Sequence, residues 1–175
     1  MDATETIDSA PDLQWIFPSI RFTCSANVTA WVFRVSKNDA MPTASCPTLE
    51  LWMDNVNTPS KTTDYVRENI ISNYSEPQRL SDFVFHCDLI TPLMVPSGTV
   101  LGFKTELSST ESVLHVQFMA QSGTVGFHRD MALGAILFDT DTALTTVQEA
   151  SGIVPFIVPV YGELCFLCHH TVSSI

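Results

Sequence analysis

Short segments rich in Val, Ile, Phe, Trp and Thr recur along the chain, separated by Pro, Gly, Asn, Asp and Ser. Several alternate from residue to residue. In 29–35, Trp31, Phe33 and Val35 share one face. In 48–53, Leu49, Leu51 and Met53 oppose Thr48, Glu50 and Trp52. In 113–120, Val113, His115, Gln117 and Met119 alternate with Leu114, Val116, Phe118 and Ala120. A period of two belongs to the β-strand and implies one buried and one wetter face, as in an antiparallel sheet. The pattern predicts strands over 19–24, 29–35, 48–53, 82–88, 100–106, 113–120, 132–136 and 157–164.

Helical periodicity is weak. Residues 63–71 hold Val66, Ile70 and Ile71 at positions that suit a helical turn or two and a strand equally well. Residues 142–150 are the other candidate, and neither segment has the length and caps of a helix. Pro92 and Pro96 flank Leu93-Met94-Val95, and Ser97-Gly98 follows as a turn. Strands without intervening helices favour an all-β fold, an antiparallel, jelly-roll-like β-sandwich of about eight or more strands with little helix. One domain is expected over 13–168, after a disordered polar lead-in at 1–12 and before a mobile tail at 169–175.

Composition narrows the function. The 175 residues, 45% of them apolar, suffice for one domain with a hydrophobic core. Eight Lys plus Arg face nineteen Asp plus Glu, for a net charge of −11. That balance argues against nucleic acid and against an anionic membrane surface, both of which need clustered cations. The most apolar stretch, 153–168, is interrupted by Pro155, Pro159 and Glu163 and is too short to span a bilayer.

The chain has five cysteines, Cys24, Cys46, Cys87, Cys165 and Cys168, an odd number that cannot pair completely within one chain. Two sequons, Asn27-Val28-Thr29 and Asn73-Tyr74-Ser75, make Asn27 and Asn73 candidate glycosylation sites, whereas Pro59 excludes Asn57. Together with the cysteines they lean towards an extracellular or cell-surface context. Residues 2–6 are acidic and polar and do not read as a secretory leader.

Candidate chemistry is sparse. Cys165-Phe166-Leu167-Cys168-His169 has the C-x-x-C-H form of c-type haem attachment. With His170 the same residues could be read as zinc ligands, but closed zinc sites use two separated pairs, and a disulfide cysteine is the preferred reading. There is no G-x-S-x-G elbow and no phosphate loop. His86 and Cys87 are adjacent in a strand and should point to opposite faces, so they do not form a base–nucleophile pair. Asp139 and Asp141 place two carboxylates one residue apart, the kind of oxygen pair a calcium loop uses, but the rest of that pattern is missing and a solvated turn is preferred. Trp31 falls on an apolar face and reads as core. Trp52 falls opposite Leu51 and is the best candidate for an exposed ligand contact. No catalytic residue, metal or cofactor is expected.

An ordered set of segments carries a family resemblance. Ile20-Arg21-Phe22-Thr23-Cys24-Ser25 is followed by Val28-Thr29-Ala30-Trp31-Val32-Phe33, then by Pro47-Thr48-Leu49-Glu50-Leu51-Trp52. The run from Ile90 to Gly102, the strand Val113-Leu114-His115-Val116-Gln117-Phe118, and the run from Ile153 to Tyr161 with a closing Cys165 complete it. The set resembles a poorly characterised domain common in surface and secreted proteins of sponges and other early-branching animals. The resemblance implies an extracellular β-sandwich module without catalytic residues. It also implies pairing of Cys24 with Cys165, which leaves Cys46 and Cys87 as the natural second pair and Cys168 free or joined to another chain. Ala26-Asn27 departs from the glycine usual after the first Cys-Ser, and Cys46 and Cys87 have no obvious counterpart.

The expected function is non-catalytic recognition or adhesion, through loops at one end of the sandwich or an exposed sheet face. The expected partner is a protein or a glycan. The alternative is a carbohydrate-binding or calcium-dependent lectin-like jelly roll using Trp52, Asp139 and Asp141.

Overall fold

The structure, a computed structural model, describes residues 13–35, 46–105, 116–130 and 141–162. Among them are ten strands: β1 (Leu13–Arg21), β2 (Ala26–Arg34), β3 (Thr48–Asp54), β4 (Tyr65–Ile71), β5 (Gln78–Ser81), β6 (Val84–Val95), β7 (Val100–Thr105), β8 (Phe118–Asp130), β9 (Gln148–Pro155) and β10 (Ile157–Tyr161). A six-stranded sheet has the order β4-β3-β7-β1-β8-β9 and a four-stranded sheet the order β10-β2-β6-β5. All pairings are antiparallel. The expected all-β sandwich is what the chain forms.

The alternation explains the layering. Trp31, Phe33 and Val35 are buried, as their shared face requires, while Val32 and Arg34 between them are partly exposed. Trp15 and Phe17 of β1, Leu49 and Leu51 of β3, and Leu101 and Phe103 of β7 project inward from the larger sheet. They meet Val28, Trp31 and Phe33 of β2, Cys87 of β6 and Ile157 of β10 in one core. Its centre is aromatic: Trp15 stacks near-parallel on Phe17 at 5.6 Å and on Phe103 at 6.2 Å.

The opposite face of the larger sheet is also covered. Ile16, Trp52, Tyr65, Val100 and Leu144 form a second apolar cluster there, with Phe127 and Val147 against it. Two short 3-10 turns, Thr62–Asp64 and Leu144–Thr146, belong to the segments that supply this cover. The segments are joined by a Lys61–Ala143 bridge and by backbone hydrogen bonds from Thr62 to Thr142 and from Leu144 to Ser60. Burial on both faces of a sheet weakens the link between alternation and exposure.

Several boundaries differ from the sequence pattern. The expected strand at 19–24 begins earlier, at Leu13, and that at 82–88 runs on to Val95. In the segment read as 113–120, Val116 makes an isolated bridge to Val35 and the regular strand starts at Phe118. The candidate helix at 63–71 is β4, preceded by a single 3-10 turn. The one at 142–150 is a 3-10 turn followed by the start of β9. Edge pairing decides both cases, because β4 and β9 complete the two ends of the larger sheet. The expected strand at 132–136, the lead-in at 1–12 and the tail at 169–175 lie outside the described residues.

Candidate functional site

Trp52, the expected exposed contact, is 2% exposed. It does point away from Leu51, but into the second apolar cluster rather than into solvent. A Cβ on Gly102 would fall 2.8 Å from its indole nitrogen, so the ring packs close to the neighbouring strand where glycine leaves room. Trp52 therefore cannot serve as a stacking platform. Asp141 is exposed and engaged: the Lys61 ammonium lies 2.9 Å away and Thr63 donates at 3.1 Å. The Lys61 hydrogen bond holds the Asp141 carboxyl below the usual carboxylate range. Asp139 lies outside the described residues. Among the described residues no three His, Cys, Asp or Glu side chains gather as a metal site would require. The Cys165, Cys168, His169 and His170 cluster also lies outside them.

The disulfide pairing is partly visible. Cys46 and Cys87 are bonded, with their Cα atoms 6.4 Å apart. Cys24 is disulfide-bonded too, and Cys165, its expected partner, lies outside the described residues. His86 and Cys87 point to opposite faces, His86 towards Asp88 at 3.7 Å and Cys87 into the core. The His128 ring lies tilted against Trp15, with centroids 4.3 Å apart, and burial pushes its imidazole below the ordinary histidine value.

A cleft of about 330 Å³ opens between the sheets at one end of the sandwich. Two local features make it. The pairing of β1 with β7 shifts register between Phe17 and Arg21, and Phe22 continues the chain along the cleft towards Cys24. On the other side the chain passes from β9 to β10 with only Phe156 between them. Phe156 is pinned there, donating to Gln117 at 2.8 Å and accepting from Arg34 at 3.1 Å. Ile20, Phe22, Met119 and Ile157 supply apolar walls, with Gln121 and Tyr161 also lining the site. Trp31 lines it as well, and its buried indole N–H has no hydrogen-bond partner among the described residues. The walls of the cleft suit an apolar group.

A second polar feature lies on the outer face of the larger sheet. The Glu50 side chain is fully buried between strands that bring three partners to it. Gln14 donates to Oε2 at 2.6 Å, Arg67 donates to Oε1 at 2.8 Å, and the Lys104 ammonium lies 3.4 Å from Oε1. Arg67 also lies over the Trp52 ring, 5.5 Å from its centroid. Both carboxylate oxygens are engaged, so this group fastens four strands together and offers no open position to a substrate.

Neither feature was marked by a sequence motif. The cleft is assembled from β1, β2, β8 and the β9–β10 corner, and the Glu50 cluster from four strands. Glu50 between Leu49 and Leu51, and Gln14 between Leu13 and Trp15, were the available signals: lone polar residues inside apolar runs. No protein-family model, curated protein or solved structure matches the chain.

Proposed function

We propose that this chain is a non-catalytic extracellular recognition module that holds an apolar, acceptor-bearing group of its partner in the cleft at the end of the sandwich. The observation that carries this reading is the cleft itself, lined by Trp31, whose buried N–H has no partner among the described residues. A buried donor without an acceptor costs about 1–3 kcal/mol, which a ligand carbonyl or sulfonyl oxygen would recover. The Cys46–Cys87 disulfide supports the extracellular part, since such bonds persist in oxidising compartments. The lectin alternative loses its aromatic contact with the burial of Trp52, and Asp141 already has a cation.

The test is a fluorescence titration with anilinonaphthalene sulfonate, which has an apolar body and acceptor oxygens. The expected result is saturable one-to-one binding to the folded chain, abolished by Met119→Lys at the cleft. Absence of saturable binding, or binding unchanged by Met119→Lys, sinks the cleft reading.

A further inference from the structure

Two sequons occur in the chain, and the fold presents them differently. Asn27 lies in β2, an inner strand of the smaller sheet paired on one side with β10 and on the other with β6. Its amide nitrogen, the atom that would carry a sugar, faces Gly162 so closely that a Cβ added there would lie 3.3 Å from it. The Asn27 carbonyl accepts from the Gly162 N–H at 2.9 Å, and Thr29, the sequon hydroxyl, donates to the Val160 carbonyl at 3.3 Å. The Asn27 side chain is thus half-buried against the end of β10, which leaves less room around its Nδ2 than an exposed connection does.

Asn73 has the opposite setting. It lies in the connection between β4 of one sheet and β5 of the other, and it is exposed. Tyr74 anchors this connection: it bridges to Leu89 and packs against the core. Ser75 donates its N–H at 2.9 Å and its hydroxyl at 3.4 Å to the Asp88 carbonyl, so the hydroxyls of both sequons are engaged and exposure of the asparagine is what separates them. In an extended segment alternate residues share a face, so the inward Tyr74 leaves Asn73 and Ser75 outward, where both are exposed. Beside Asn73 runs a groove of about 190 Å³ that includes Ile70, Ile71, Leu89, Ile90 and Leu93. Ile70 is 52% and Ile90 63% exposed, the latter the most exposed of the large apolar side chains among the described residues.

We propose that Asn73 is the N-glycosylated residue of this chain, that Asn27 is not, and that the core sugars on Asn73 cover Ile70 and Ile90. The inference rests on the extracellular reading above. The sugar comes from a lipid-pyrophosphate-linked oligosaccharide of the secretory compartment. The Asn73 Nδ2–C1 bond forms, the C1–O bond to pyrophosphate breaks, the lipid pyrophosphate leaves, and one amide proton passes to solvent. Hydroxyl-bearing faces of a pyranose can point to water while its C–H face lies on the two isoleucines, which removes an adhesive apolar patch from a secreted surface.

The full chain, expressed behind a secretion leader in a eukaryotic host, is analysed by glycosidase shift and by mass spectrometry of glycopeptides. One glycan, lost in both Asn73→Gln and Ser75→Ala and retained in Asn27→Gln, is the expected result. A glycan on Asn27 overturns the inference while leaving the extracellular reading intact. A secreted chain with no glycan at all also overturns the inference, and it leaves the extracellular reading intact because the added leader imposes the compartment. In the second arm, the folded glycoprotein is deglycosylated enzymatically. Self-association on size exclusion that Ile70→Ser with Ile90→Ser abolishes is expected, and an unchanged elution volume overturns the covering role.

Discussion

Cys46 and Cys87 join the two sheets of the sandwich: Cys46 lies two residues before β3 of the larger sheet, and Cys87 lies within β6 of the smaller one. The bond closes a loop with a sequence separation of 41. On chain-entropy grounds a loop of that length stabilises the fold by about 4 kcal/mol, through restriction of the unfolded chain. The double variant Cys46→Ala with Cys87→Ala is expected to lose stability on that order in a urea titration, with a lower midpoint. A midpoint within error of the native protein's would show that the sheets hold together without the bond.

Glu50 should be the least replaceable charged residue among those described. Its carboxylate is buried and receives Gln14, Arg67 and Lys104. Removing one member of a buried ionic group leaves the others desolvated and uncompensated, a cost of about 3–5 kcal/mol. Glu50→Ala is expected to destabilise by that amount in chemical denaturation, whereas Asp141→Ala, which breaks an exposed ion pair, should cost no more than the ordinary surface substitution. Equal effects from the two variants would contradict the special role of Glu50.

Period-two alternation made the sandwich legible, and it placed Trp31 and Phe33 correctly, because β2 has one face in the core and one nearer to solvent. The same rule misplaced Trp52. Alternation identifies which residues point together, but the cover on the outer face is contributed by residues far away in the chain, here Leu144 and Val147. Lone apolar residues in polar loops do not announce that they will cover a sheet. The Val66, Ile70 and Ile71 spacing was ambiguous for a related reason: β4 gains its strand character from pairing with β3, a long-range contact absent from local sequence. The cleft was beyond reach, since it depends on a register shift in β1 and a one-residue crossing at Phe156.

His128 gives the fold a pH dependence with a definite sign. Burial against Trp15 lowers its pKa below the ordinary value of about 6.5. Above that value both folded and unfolded chains carry a neutral imidazole, and the residue contributes nothing to the slope. As pH falls below it, the unfolded chain takes up the proton first, so stability declines until the pH passes the folded-state pKa. Denaturation midpoints measured from pH 7 down to pH 5 should therefore fall more steeply for the native protein than for His128→Gln. Parallel profiles would mean that His128 is protonated equally well in both states.

Trp31 separates the chemistry of the cleft from its packing. Trp31→Phe keeps an aromatic ring in the core but removes the N–H that has no partner among the described residues. Losing that donor relieves a buried polar group, which offsets part of the lost packing, so the net stability change should stay below the about 3–5 kcal/mol typical of truncating a core aromatic to Ala. Binding of the sulfonate probe should weaken about tenfold, the loss of about 1.4 kcal/mol expected for one hydrogen bond. A second probe, anilinonaphthalene without its sulfonate, should bind both proteins alike. If the two probes lose affinity equally, Trp31 acts only by shaping the wall, and the acceptor is not part of what the cleft reads.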